Sequence, residues 1–158
     1  MNKKIIALLV VVALAVTSVF ATGIGVMSSA QTGWGALSYA PSKDGVYYGL
    51  GWGAHGVGIS AEIPFVRGTI FDADLFALGY KAGAGINAWL NFIGNFGFGV
   101  GVFGFAGLDF TFDFQAFELE LFGQWQPNFD ISIVPFGIGH NTMMSILTGY
   151  SSGIRFWF

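Results

Sequence analysis

Residues 96–112 read FGFGVGVFGFAGLDFTF, and this stretch decides the fold class of the chain. Apolar side chains recur at every second position over most of its length, namely at Phe96, Phe98, Val100, Val102, Ala106, Leu108, Phe110 and Phe112. The positions between them carry mainly glycine, together with Phe103, Phe105, Asp109 and Thr111. Successive side chains of a strand point to opposite sides, so this period of two predicts a long β-strand with one wholly apolar face.

The same alternation recurs in four further segments, residues 57–65, 78–90, 117–124 and 150–158. The charged residues of the alternating segments all fall on the face opposite the apolar one; they are Glu62, Lys81, Asp109, Glu118, Glu120 and Arg155. This placement is an independent test, because the apolar positions alone define the faces. The pattern therefore predicts strands that turn hydrocarbon outward and ionisable groups inward.

Composition indicates which solvent meets the apolar faces. The chain is 54% hydrophobic and only 9% charged, whereas a typical soluble domain carries about 25% charged residues. Only helices and closed β-barrels satisfy their backbone hydrogen bonds in lipid. The 25 glycines interrupt every apolar run of the mature chain that could form a helix. We therefore expect a closed barrel, and a soluble two-sheet sandwich is the less favoured alternative.

Residues 1–21 are predicted to be a secretory signal peptide. Lys3 and Lys4 precede an apolar run, and Ala21 offers a small residue for cleavage. A retained transmembrane helix is the alternative. Without Lys3 and Lys4 the remaining chain has four basic and nine acidic residues, a net charge of −5 that argues against binding to nucleic acid. Residues 22–158 are predicted to form one domain.

Metal and cofactor sites are not expected. The chain has no cysteine, which excludes disulfides and thiolate ligands. Its two histidines, His55 and His140, are far apart in sequence. We therefore predict no metal and no cofactor.

Eight strands are predicted, with ten as the alternative. Their approximate bounds are 23–39, 46–54, 57–66, 75–92, 96–112, 116–125, 130–139 and 147–158. Outer-membrane barrels have an even number of strands, so both chain termini should lie on one side. The turns expected on that side are 54–56, 93–95 and 126–129, and those expected on the opposite side are 41–45, 67–74, 113–115 and 140–146.

The end of the chain carries the most specific signal. Tyr150, Ile154, Phe156 and the terminal Phe158 alternate with polar or small residues. This segment resembles the aromatic-terminated last strand that the barrel assembly machinery reads. As a whole, residues 22–158 resemble the small bacterial outer-membrane β-barrels, the eight-stranded OmpA and OmpX group. The resemblance implies one closed antiparallel up-and-down transmembrane β-barrel in the outer membrane, in contact with its lipid and inserted by that machinery.

Two sets of inward residues are candidate functional sites. The first is an ion-pair network in the lumen, made of Glu62, Lys81, Asp109, Glu118, Glu120 and Arg155. The second is a lumen pocket for a small hydrophobic ligand, lined by Tyr47, Trp89, Phe103, Phe105, Phe122 and Trp157. An eight-stranded lumen is only wide enough for side chains, which favours a plug of salt bridges.

The function expected from these features is non-enzymatic. We expect a mostly closed barrel of the cell envelope with a structural or surface-interaction role. The alternatives are a porin-like carrier or narrow channel for small or hydrophobic molecules, and a lipid-modifying outer-membrane enzyme. Such an enzyme would use His140 with Ser145 or Ser151, by the resemblance to a small barrel enzyme with a His, a Ser and an acidic residue at its outer rim.

Overall fold

A computed structural model describes residues 22–29, 33–53, 56–92, 96–133, 140–145 and 149–158. The predicted signal peptide, residues 1–21, lies outside these ranges. Within them, no helix is long and apolar enough to cross a membrane. All the regular structure described is β-strand.

Ten strand segments follow one another along the chain. They are β1 (Gly23–Ser29), β2 (Gly33–Ala40), β3 (Tyr47–Trp52), β4 (Gly56–Ala73), β5 (Phe76–Asn91), β6 (Gly97–Asp113), β7 (Glu118–Trp125), β8 (Asn128–Ile133), β9 (His140–Ser145) and β10 (Tyr150–Trp157). All pairings between neighbours are antiparallel.

The ten segments form the wall of an eight-stranded barrel. Strands β1 to β7 pair in sequence, β7 pairs with β10, and β10 pairs with β1, which closes the ring. β7 and β8 pair with β6 in the same register, since Trp125 lies opposite Ala106 and Asn128 lies opposite Phe103. The two segments therefore form one continuous strand of the wall. β9 pairs with β8 and leads into β10. The predicted all-β closed antiparallel barrel with eight strands is confirmed.

The stagger of the strands can be read from one circuit of the ring. Each residue in the following path lies opposite the next: Gly101, Asn87, Ser60, Gly49, Ser38, Gly25, Arg155, Glu120 and Thr111. The circuit starts and ends on β6 but returns ten residues later, at Thr111 instead of Gly101. Ten residues of shear over eight strands correspond to a strand tilt of about 40°.

The two ends of the barrel are occupied by different connections. At one end, here called the C-terminal rim, Thr22 and Phe158 exchange backbone hydrogen bonds. Residues 41–46, 74–75 and 114–117 connect strands at this rim. The other end, called the distal rim, holds the connections after Ser29, Trp52, Asn91 and Ile133.

The predicted sides of the turns are therefore wrong. Turns 41–45 and 113–115 lie at the same rim as the termini, and the connections containing 54–55 and 93–95, which are outside the described residues, lie at the opposite rim. Two errors caused the reversal. The predicted strand 23–39 is two strands that run in opposite directions, and the predicted turn 126–129 does not reverse the chain. Because the errors cancel, the strand count was still correct.

Two predicted loops are strands. Residues 67–73 continue β4, and the segment from His140 to Ser145 forms β9 instead of a loop. In β4 the register shifts between Pro64 and Val66 and again between Thr69 and Phe71, so each shift adds one unpaired residue. Such β-bulges break the period of two, which is why the alternation ends at this point in the sequence.

Glycines make room for the large inward side chains. Six inward glycines lie opposite or beside a bulky residue of the neighbouring strand, and a Cβ added to any of them would come within 3.0 Å of that residue: Gly23 with Trp157, Gly79 with Asp109, Gly83 with Phe105, Gly85 with Phe103, Gly99 with Trp89 and Gly153 with Phe122. In five of the six pairs the neighbouring residue is aromatic, and in the sixth it is Asp109. This pairing lets a lumen of small diameter hold aromatic rings without voids.

Gly85 tests this packing. A Cβ at Gly85 would lie 2.4 Å from Phe103 Cζ and 2.7 Å from the backbone oxygen of Ala61. We expect Gly85→Ala to lower the free energy of unfolding by about 1–3 kcal/mol through overpacking, measured by urea titration of the folded barrel. The outward Gly123 has no atom within 4 Å of its Cβ position, so Gly123→Ala should change stability by less than about 0.5 kcal/mol. Equal losses in the two variants would contradict the packing argument.

Candidate functional site

Glu120 is the shared partner of a buried charged cluster in the lumen. β7 turns its side chain inward, and β10 brings Arg155 directly opposite it. The Nζ of Lys81, on β5, lies 2.9 Å from Glu120 Oε1, and Arg155 NH1 lies 3.1 Å from both carboxylate oxygens. The side chains of all three residues are at most 2% exposed. Two cations thus share one buried carboxylate.

Further donors complete the hydrogen bonding of this cluster. Trp157 Nε1 donates to Glu120 Oε2 at 2.6 Å. Arg155 donates from Nε and NH2 to Ser38 Oγ at 3.1 and 2.8 Å. Buried charges are tolerated when they are paired and hydrogen-bonded, because the protein then replaces the lost hydration. The cluster joins β2, β5, β7 and β10 across the lumen.

Aromatic rings enclose the two cations. Arg155 Cζ lies 4.6 Å from the ring centroids of both Tyr47 and Phe122, and Lys81 Nζ lies 4.7 Å from that of Phe122. Tyr47 and Trp157 meet edge to face, with centroids 6.2 Å apart. These contacts are cation–π interactions, which gain strength when the cation is desolvated.

The residues of the predicted lumen pocket lie on the inward faces of their strands. Tyr47, Phe103, Phe105, Phe122 and Trp157 are all buried inside the barrel, and Trp89 is half-buried. Their rings lie over the glycines of neighbouring strands or against the charged cluster. The structure thus places these residues in a packed core, an arrangement that favours a plug over a ligand cavity.

The predicted ion-pair network divides into separate groups. Lys81, Glu120 and Arg155 come together, as described. No Lys or Arg in the described part of the chain lies within salt-bridge distance of Glu62; its carboxylate accepts from Gln124 Nε2 at 2.9 Å and from Gln126 Nε2 at 2.8 Å. Asp109 is buried, and its Oδ2 has no hydrogen-bond partner among the described residues.

The sixth predicted member, Glu118, lies at the C-terminal rim. It forms an ion pair with Lys43, from the connection between β2 and β3. Arg67 NH1 donates to the backbone oxygen of Lys43 at 2.6 Å and to Tyr47 Oη at 3.1 Å. Segment 41–46 thereby reaches across the mouth of the barrel from β3 to β7 and covers the lumen at this rim.

Several of these residues were not predicted as part of the site. Lys43 and Arg67 were placed in loops, so their reach into the lumen could not be deduced. The alternation in residues 117–124 places Gln124 on the inward face. Its hydrogen bond to Glu62 could not be deduced, because it depends on the order of the strands around the barrel. Ser38 had no signal, since it falls in the segment predicted as one long strand.

The remaining predicted residues lie elsewhere. Tyr150, Ile154, Phe156 and Phe158, the predicted assembly signal, are exposed on the outer face of the last strand. His140 and Ser145 lie on β9, and their side chains are outside the described part of the structure. Ser151 is buried, and its Oγ has no hydrogen-bond partner among the described residues. The enzyme alternative is thus untested.

The described residues contain no cluster of three His, Cys, Asp or Glu arranged to hold a metal ion. Comparison of the chain with protein-family models, with curated proteins and with solved structures finds no match. The resemblance to the OmpA and OmpX group therefore stays a prediction.

Removing the shared carboxylate tests the cluster. Glu120→Gln removes the carboxylate that forms the described salt bridges of Lys81 and Arg155, so we expect it to lower the free energy of unfolding by about 3–5 kcal/mol. Glu118→Gln breaks the ion pair at the rim, where both side chains are about one-third exposed. It should cost less than about 1 kcal/mol. Urea titration of both variants makes the comparison, and a loss for Glu120→Gln no larger than for Glu118→Gln would refute a structural role for the cluster.

Proposed function

We propose that this protein is an integral outer-membrane β-barrel with a closed lumen and a structural or surface-interaction role in the bacterial cell envelope. The two faces of its wall carry the proposal. Between the rims, the described outward positions hold hydrocarbon side chains such as Val26, Leu50, Ile59, Ile86 and Val102, each at least half exposed. The charged residues of the described strands point inward or lie at a rim. A lipid-facing Arg or Lys costs about 2–4 kcal/mol at the bilayer midplane, so this distribution suits a lipid solvent.

The outward aromatic residues support the same proposal. They concentrate towards the two rims, whereas aliphatic residues dominate between them. Those near the C-terminal rim include Phe71, Phe76, Phe110, Phe114, Phe156 and Phe158, and those near the distal rim include Trp52, Phe92, Phe96, Phe98 and Phe129. Two aromatic girdles around an aliphatic band are typical of outer-membrane barrels, whose rings sit at the membrane interfaces.

The orientation follows from the connections. In outer-membrane barrels the chain termini and the short turns face the periplasm. By this rule the C-terminal rim, with the two-residue turn Asp74–Leu75, is periplasmic and the distal rim is external. We infer that the barrel assembly machinery inserts the chain, because the outer face of β10 ends in the aromatic Phe158.

A narrow channel is the competing function, and one observation favours it. Glu120 is shared by two cations, so either Lys81 or Arg155 could release it while the other keeps the carboxylate paired. A rearrangement of this kind would open a path past the plug. In the arrangement described here the cluster spans the lumen and segment 41–46 covers the C-terminal rim, which favours the closed barrel.

Insertion can be tested with single cysteines, since the natural chain has none. A spin label at Ile59→Cys, on the outer face, should collide more often with oxygen than with a water-soluble nickel chelate once the protein is in lipid vesicles. Asp74→Cys, in a rim turn, should show the reverse preference, and Ser38→Cys, in the lumen, should be shielded from both reagents. Ready access of nickel to the label at position 59 would refute membrane insertion.

Conductance separates the closed barrel from the channel. In planar bilayers the folded protein should give no steady unitary conductance, because the plug fills the lumen. Steady conductance that disappears in Lys81→Met would reject the closed barrel and support a channel gated by the shared carboxylate. Vesicles without protein and vesicles with a known open porin provide the controls.

A further inference from the structure

Among the described residues, no Lys or Arg forms an ion pair with the Asp130 carboxylate. The described residues include every Lys and Arg after residue 21, and all four are engaged elsewhere: Lys43 with Glu118, Lys81 and Arg155 with Glu120, and Arg67 with Lys43 and Tyr47. Those contacts lie in the half of the barrel nearer the C-terminal rim. Asp130 lies on β8, in the other half of the barrel.

The carboxylate of Asp130 is held in a defined position inside the barrel. Asn87 Nδ2 donates to its Oδ1 at 3.1 Å, and Asn128 Nδ2 donates to its Oδ2. Asp130 lies opposite Gly101 of β6, and a Cβ on Gly101 would be 1.8 Å from Oδ1. The carboxylate thus lies against Gly101, and a larger residue at position 101 would displace it.

An aromatic ring lies beside this carboxylate. The indole of Trp89 covers Gly99, where an added Cβ would be 2.4 Å from ring atoms. Gly99 and Gly101 are on the same face of β6, two residues apart, a separation of about 7 Å along a strand. Trp89 and Asp130 are therefore neighbours on the inner wall, and both are half-buried.

The buried hydroxyl of Ser60 lies on the same side of the site as Asn87, which lies opposite Gly101. Ser60 lies opposite Asn87 and is only 6% exposed, yet its Oγ has no hydrogen-bond partner among the described residues. A buried polar group without a partner is uncommon and calls for an explanation. A bound ligand with a polar group would supply one.

From this geometry we propose that the distal end of the lumen binds a small organic ammonium ion between the Asp130 carboxylate and the Trp89 ring. A carboxylate supplies the counter-charge, and an indole face is the preferred aromatic partner of ammonium groups, quaternary ones included. A divalent metal fits less well, because Ca²⁺ takes six to eight oxygen ligands and this site has one carboxylate. This binding site is independent of whether the lumen conducts ions, because it shares no residue with the Glu120 cluster.

The test uses the full chain folded in a non-ionic detergent, so that no choline headgroup competes. Choline is titrated by calorimetry, with its uncharged carbon analogue as the matched ligand and Ca²⁺ as the metal probe. We expect choline to bind and the other two to bind at least about tenfold more weakly. Asp130→Asn keeps the volume of the side chain and should weaken choline binding by about tenfold or more, and Trp89→Leu should weaken it by about three- to tenfold.

Asp44→Asn is the control, since it removes an exposed carboxylate at the C-terminal rim and should leave binding unchanged. A shift in gel mobility on heating shows that each variant is folded. Three results would overturn the proposal: choline binding by Asp130→Asn as tight as by the natural chain, equal binding of the carbon analogue, or binding of Ca²⁺ without choline.

Discussion

The narrow lumen is the constraint on which the rest of this structure depends. Eight strands enclose a space only a few side chains wide, and this chain fills it with aromatic rings and charged groups. Each large side chain needs a small neighbour, so glycine and bulky residues face each other across the strands, as Gly85 and Phe103 do. The high glycine content, which looks unfavourable for any regular structure, follows from this packing.

The same constraint governs the electrostatics. The charged residues absent from the outer face between the rims lie in the lumen, where each buried charge needs a partner. Glu120 meets the need of Lys81 and Arg155 together, and Glu62 is satisfied by amides instead of cations. The lumen is therefore held by specific polar contacts between strands that are distant in sequence.

The two halves of the lumen differ in character. Towards the C-terminal rim, cations, carboxylates and aromatic rings interlock, and segment 41–46 covers them. Towards the distal rim, Asp130 and Trp89 lie over Gly101 and Gly99, and no Lys or Arg of the described residues pairs with Asp130. Strand alternation supplies inward positions along the whole height of the barrel, so the charged cluster and the polar residues around Asp130 occupy different levels of one lumen.

The sequence by itself determined the fold class, the inward and outward faces and the positions of β5 and β6, because side-chain direction in a regular strand follows the parity of the residue number. It also contained the turn after Ser29: the inward face changes from odd positions in β1 to even positions in β2. The change of face is faint, because small residues occupy both faces of β1 and β2. At Pro127 the sequence predicts a turn, although the inward side chains stay at even positions from β7 to β8. Only the tertiary structure decided which rim each turn occupies and which charges meet, because partners such as Glu120 and Lys81 are set by strand order and shear, which are properties of the closed ring as a whole.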